Sequence, residues 1–118
     1  MPSTEIAPGL ARRRVAVACE GWPHRAVEDA LVLTSELVTN AVRYGDGALA
    51  LAIAVTAGLL HVEVSDGNPD GVRMGTLPEP DSLSGRGLFI VAALSSDWGC
   101  RPRLDGVGKT VWFDLLVS

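Results

Sequence analysis

Between Pro23 and Tyr44 the apolar residues Val27, Ala30, Leu31, Leu37, Val38, Ala41 and Val42 recur at steps of three and four, which puts them on one wide face of an α-helix. Proline opens this helix, Glu28 and Asp29 sit near its positive end, and Gly45 stops it. A shorter helix is expected over Pro8–Glu20, ended by Gly21. After Gly45-Asp46-Gly47 the pattern changes: Ala48–Thr56 reads as an apolar strand and Leu60–Ser65 alternates as its partner. The link Ala57-Gly58-Leu59 is short enough to make the two strands antiparallel neighbours. Gly85–Ser95 reads as a mostly buried helix, Asp97–Arg101 as a short strand, and Lys109–Val117 as a closing strand after an Asp105-Gly106 turn. This order predicts an α/β two-layer sandwich, with helices on one face of a mixed, mostly antiparallel sheet.

The segment from Asp66 to Ser84 fits none of these periods. It carries Gly67, Pro69, Gly71, Gly75, Pro78 and Pro80, and a loop of that length inside a small domain is more often a functional lid than filler. With 118 residues the chain has room for one domain, 1–118, with this lid at about 66–84. Hydrophobic residues at 47% against 20% charged supply a core and exclude a disordered tail.

A net charge of −4 argues against direct nucleic-acid binding and against a membrane-surface role. The run Arg12-Arg13-Arg14 reads as a solvated helix face. Cys19 and Cys100 form neither a disulfide framework nor a zinc pattern, and the longest apolar stretch, Leu49–Val55, is far short of the roughly 20 residues of a membrane helix. The expectation is a cytoplasmic protein with reduced thiols. Because the chain opens with Met1 and closes on a strand, a complete small protein is expected rather than a domain cut from a phosphatase–kinase fusion.

Two motifs mislead. Gly106-Val107-Gly108-Lys109-Thr110 suggests a phosphate-binding loop, yet Arg103 stands where its first glycine belongs and a strand pattern follows the Lys-Thr pair. Gly85-Arg86-Gly87 is not a dinucleotide fingerprint, because Ile90 takes the third glycine slot. His24 and His61 lack partners at metal-ligand spacing and read as ordinary surface or strand histidines.

Glu36 and Asn40, four residues apart on the long helix, project from one face. A solvated polar stripe would explain them. An amide carbonyl is also a suitable neutral ligand for Mg²⁺ that arrives with phosphate oxygens, and a carboxylate one turn away can accept a proton from a hydroxyl attacking a γ-phosphate. Three further features follow in chain order: Asp66-Gly67 ending a strand, Gly85-Arg86-Gly87 opening a helix, and Gly108-Lys109-Thr110 starting the last strand.

The segment Thr34-Ser35-Glu36-Leu37-Val38-Thr39-Asn40-Ala41 resembles the N-box of the GHKL (Bergerat-fold) ATPase/kinase superfamily, and more narrowly that of the small serine/threonine kinases acting as anti-sigma factors. Tyr44-Gly45 stands where that run ends. Asp66-Gly67-Asn68-Pro69 resembles the first glycine box, Gly85-Arg86-Gly87-Leu88 the second, and Gly108-Lys109-Thr110-Val111-Trp112-Phe113 the closing strand. Two departures stand out. Asn68 and Asp70 replace glycines of the first box, and Phe89 and Ile90 follow Leu88 where a further glycine is usual.

The resemblance implies an ATP site between the long helix and the lid. Asn40 would hold Mg²⁺ and Glu36 would be the general base. Asp66, beside Gly67, would take the adenine amino group with Thr110 supporting it through water. Gly85, Arg86, Gly87 and Leu88 would close over the phosphates. It also implies the partners: a STAS-type anti-sigma factor antagonist as phosphorylation substrate, a sigma factor to sequester, and a second copy of the chain as homodimer. A histidine-kinase reading is disfavoured, since no dimerisation helix pair with a phospho-accepting histidine precedes the domain. The alternative is a catalytically weak or inactive protein-binding module on the same fold.

Overall fold

The structure, a computed structural model, describes residues 7–44, 49–67, 90–103 and 108–117. Helix α1 (Ala7–Ala18) and helix α2 (His24–Tyr44) precede strands β1 (Ala50–Thr56), β2 (Leu59–Asp66), β3 (Asp97–Pro102) and β4 (Lys109–Leu116). Residues 90–94 are also helical, in agreement with the end of the helix expected over Gly85–Ser95. The turns at Gly45-Asp46-Gly47 and Asp105-Gly106 and the lid from Asn68 onward lie outside the described residues.

The four strands form one sheet in the order β1-β2-β4-β3, with antiparallel pairing at each of the three junctions. The hairpin between β1 and β2 is tighter than its three-residue link suggested. Leu59 is already paired with Thr56, so only Ala57 (φ 51°) and Gly58 (φ 79°) turn the chain. Positive φ at both central residues is the turn whose twist matches that of the flanking strands.

Alternation along the strands separates the two faces of the sheet. Leu60, Val62, Val64 and Asp66 of β2 are buried, and their β4 partners Leu115, Phe113, Val111 and Lys109 lie on the same side. That side receives the helices. Ala7, Ala11, Val15 and Cys19 form a buried row at four-residue spacing, and Ala30, Leu33, Leu37, Val38 and Ala41 line the inner face of α2. Gly21 (φ 89°) ends the first helical run and lets the chain reverse, with the Trp22 amide donating to the Cys19 carbonyl. Thr34, wholly buried, donates its hydroxyl to the Ala30 carbonyl at 2.8 Å, so this polar side chain crosses the core satisfied. Leu49 is buried and Leu51 and Ile53 pack against the core, which therefore absorbs all three.

Among the described residues Phe113 is the largest fully buried side chain, and it sits on the sheet's helix-facing side. Phe113→Ala is expected to lower stability by about 3–5 kcal/mol, against less than about 0.5 kcal/mol for Val17→Ala on the exposed side of α1. Urea unfolding with an unchanged m-value checks both.

Candidate functional site

Strand β2 carries its inward phase past the last apolar position, and its final inward residue is an acid. Asp66, 1% exposed, lies on the helix-facing side where Leu60, Val62 and Val64 lead to it. A carboxylate there must be paired. Its partner is the residue directly across the ladder: Lys109 Nζ stands 3.1 Å from Asp66 Oδ1 and 2.9 Å from Oδ2, and the lysine side chain is itself buried. Lys109 begins the inward series Lys109, Val111, Phe113, Leu115 of β4. The main chain behind this pair is equally constrained. Gly108 has φ 102°, and a Cβ added to it would fall 2.0 Å from the Asp66 carbonyl oxygen and 2.8 Å from Gly67 Cα. Arg103 anchors the same carbonyl at 3.4 Å, and its amide donates to the Gly108 carbonyl at 3.1 Å.

Thr110 does not stand beside Asp66. Neighbouring strand residues point to opposite faces, and because Lys109 pairs with Asp66, Thr110 shares the face of Ser65. Its hydroxyl lies 2.7 Å from the Ser65 hydroxyl. Directly across the ladder from Asp66 stands Lys109, while Thr110 faces the other side of the sheet. Lys109 is easily passed over in the sequence because Gly106-Val107-Gly108-Lys109-Thr110 resembles a phosphate loop and fails as one. The available signal was a lysine in phase with three inward-facing apolar residues.

Glu36 and Asn40 stand one turn apart on α2, each half-buried, and neither makes a hydrogen bond or ion pair with a described residue. Both flank the buried row Leu33, Leu37, Ala41 by which α2 packs on the sheet. Ser35, on the same helix, receives a 2.7 Å hydrogen bond from Arg12 that ties α1 to α2. Gly67 follows Asp66 just past the end of β2, whereas Gly85, Arg86, Gly87 and Leu88 lie outside the described residues. Among the described residues no group of three or more His, Cys, Asp or Glu side chains is arranged to hold a metal ion. The neutral amide oxygen of Asn40 is of a kind that suits Mg²⁺ already carried by phosphate oxygens.

The reverse face of the sheet carries a second polar group that sequence spacing missed. His61 Nδ1 bonds Asp114 on β4, its Nε2 lies 2.7 Å from Glu63, and Arg101 of β3 donates to Glu63 at 2.7 Å. Partial burial opposes the charged imidazolium, but the hydrogen bonds and charges of Glu63 and Asp114 outweigh it and raise the His61 pKa above 6.5. Glu63 is lowered, chiefly by its bond to His61 and then by Arg101, against its own desolvation. Trp112 stacks near His61 with ring centroids 5.6 Å apart and covers Gly99, where a Cβ would fall 2.8 Å from the indole. Burial raises the thiol pKa of both Cys19 and Cys100, each a free cysteine. No helix among the described residues is long and apolar enough to cross a membrane.

Comparison with known proteins gives one consistent picture. The family model of the histidine kinase-like ATPase domain matches residues 2–115. Among solved structures, the chain is similar to the blue-light activated histidine kinase of Erythrobacter litoralis EL346 (TM-score 0.64, 21% identity), covering 93% of this chain and 40% of that one. It is also similar to the histidine kinase AdeS of Acinetobacter baumannii (TM-score 0.58, 16% identity), covering 93% of this chain and 64% of that one. The histidine kinase domain of the E. coli osmosensor EnvZ aligns with a TM-score of 0.52 at 15% identity, over 92% of this chain and 84% of that one. No curated protein sequence matches. At these identities the likeness is one of fold, α-helices on a four-stranded antiparallel sheet, and the chain spans well under two thirds of the light-activated kinase.

Two outcomes are expected. Gly108→Ala should cost upward of about 2 kcal/mol in thermal unfolding, because strain at positive φ adds to a backbone clash, whereas Gly58→Ala, at φ 79° with open space around it, should cost about 1 kcal/mol. For His61 the folded pKa exceeds the unfolded value, so its contribution to stability is complete below pH 6.5 and is lost as pH rises through the folded pKa. The difference in melting temperature between wild type and His61→Gln should shrink as pH is raised above 6.5.

Proposed function

Because the chain belongs to the histidine kinase-like ATPase domain family of the GHKL superfamily, we propose that it is an ATP- and Mg²⁺-dependent protein serine/threonine kinase of the anti-sigma type. Its substrate would be a STAS-type antagonist and its second ligand a sigma factor. The observation that carries this reading is the pair on α2: a carboxylate and an amide one turn apart, half-buried and without partners of their own among the described residues. A solvated stripe needs neither the half-burial nor this combination. The buried Asp66 at the end of β2 supplies the acceptor that a nucleobase amino group requires.

In this reading Asn40 offers its side-chain oxygen to Mg²⁺, which neutralises charge on the phosphates when bound. Asp66 fixes the base, and so sets how far along α2 the phosphates extend. Glu36 accepts the proton of the attacking serine or threonine hydroxyl. As that oxygen forms its bond to the γ-phosphorus, the bond from phosphorus to the bridging oxygen breaks and ADP leaves. The protein's task is positioning and proton acceptance, since the phosphoryl group transfers with little covalent help.

One observation favours the second reading, a binding module with weak or no turnover: Lys109 already engages both oxygens of Asp66. That ion pair competes with a base for the carboxylate, and a weakly bound nucleotide would leave partner binding as the main activity.

Glu36→Ala is expected to lower phosphotransfer by about 10²–10⁴-fold while ATP binding, followed by calorimetry, changes little. Asn40→Ala should instead abolish the Mg²⁺ dependence of binding. Transfer of label from γ-³²P-ATP to a STAS-type protein, stable to acid, supports serine or threonine as acceptor; acid-labile label would mark a histidine kinase. Unlabelled partner bound equally well with and without nucleotide would favour the module.

A further inference from the structure

We propose that His61 is a proton-operated switch on the outer face of the sheet: charged, it joins Glu63 to Asp114, and on losing a proton it releases Glu63. The inference stands on the arrangement of that face and is independent of the nucleotide reading above. Both ring nitrogens of His61 meet a carboxylate, for Nδ1 bonds Asp114 and Nε2 lies 2.7 Å from Glu63. A charged imidazolium has a donor at each nitrogen, whereas the neutral ring has one donor and one lone pair. The neutral ring therefore satisfies one of these carboxylates and turns its lone pair on the other, acceptor against acceptor. Flipping the ring exchanges the two nitrogens and leaves the same conflict.

The other charges on this face decide which carboxylate is let go. Glu63, on the same strand as His61, has a second partner, because Arg101 of β3 donates to its Oε1 at 2.7 Å. Asp114 of β4 has another carboxylate opposite it instead, Asp97 at the paired position of β3. Strand β1 brings no titratable residue, and Ala54 stands in register with His61. Loss of the proton from Nε2 therefore keeps Nδ1–H on Asp114 and leaves Glu63 to Arg101. In the charged state Asp114, His61, Glu63 and Arg101 form one chain that links β4, β2 and β3. In the neutral state that chain is cut between His61 and Glu63. The three carboxylates Glu63, Asp97 and Asp114 then face one cation where they faced two, so a single proton sets the charge of the sheet's outer face. Partial desolvation of the ring opposes its charge, but the two carboxylates prevail and place the transition above pH 6.5.

The test is a long-range ¹H–¹⁵N spectrum of the histidine rings in the full chain, recorded from about pH 5 upward. His24→Gln assigns the two sets of signals. In wild type His61 is expected to be protonated at both nitrogens below pH 6.5 and to convert to the Nδ1–H tautomer above it. In Asp114→Asn the neutral ring should instead take the Nε2–H form, and in Glu63→Gln it should keep Nδ1–H. Both substitutions should bring the transition down in pH. Arg101→Gln removes the partner to which Glu63 is released, so it should raise the transition and let the Nε2–H form appear. Circular dichroism establishes that each variant is folded; should one fail to fold, the wild-type tautomer and the remaining variants still decide. A neutral His61 ring below pH 6.5, or Nε2–H as the neutral form of wild type, would overturn the inference. So would a transition left in place by both Glu63→Gln and Asp114→Asn.

Discussion

A lysine and an aspartate close the inner face of the sheet, and much of the surrounding geometry answers to them. Burying two charges is expensive, and such a pair can often be exchanged for apolar side chains at no loss of stability, whereas removing one partner alone costs about 3–5 kcal/mol. The Asp66–Lys109 pair is therefore weak as an explanation of why the domain is stable and stronger as a mark of use. Both residues sit where the alternation of β2 and β4 would accept a valine or leucine without change of register. Both side chains of the pair lie on the side of the sheet that receives α2.

The architecture was legible because it rests on period. Three- and four-residue spacing located α2 to within a residue of its observed start, and strict alternation located β2 and β4. Those patterns arise from burial against one core, so they are visible in one dimension. The closing strand was recognised for the same reason: Val111, Phe113 and Leu115 alternate with residues of the other face.

What stayed hidden depends on pairing between strands. That Lys109, rather than Thr110, faces Asp66 follows from a register linking positions 43 residues apart, and a shift of one residue would exchange their roles. The His61 group is hidden for the same reason, since Asp114 and Arg101 come from β4 and β3, strands that only folding brings into one sheet with β2. Glu36 and Asn40, by contrast, are visible as a pair in the sequence because helical neighbours are close along the chain. Gly85, Arg86, Gly87 and Leu88 lie outside the described residues.

Gly108 divides what can vary at this corner of the molecule from what cannot. Its backbone lies so near the Asp66 carbonyl that no side chain can be accommodated, and its positive φ suits glycine alone. Lys109, next in the chain, is held instead by its pairing with Asp66, so in a lineage built on this scaffold the two side chains are bound to change together while the main chain that presents them stays where it is. Side chains at this end of the sheet are exchanged in pairs, upon a frame one hydrogen atom wide.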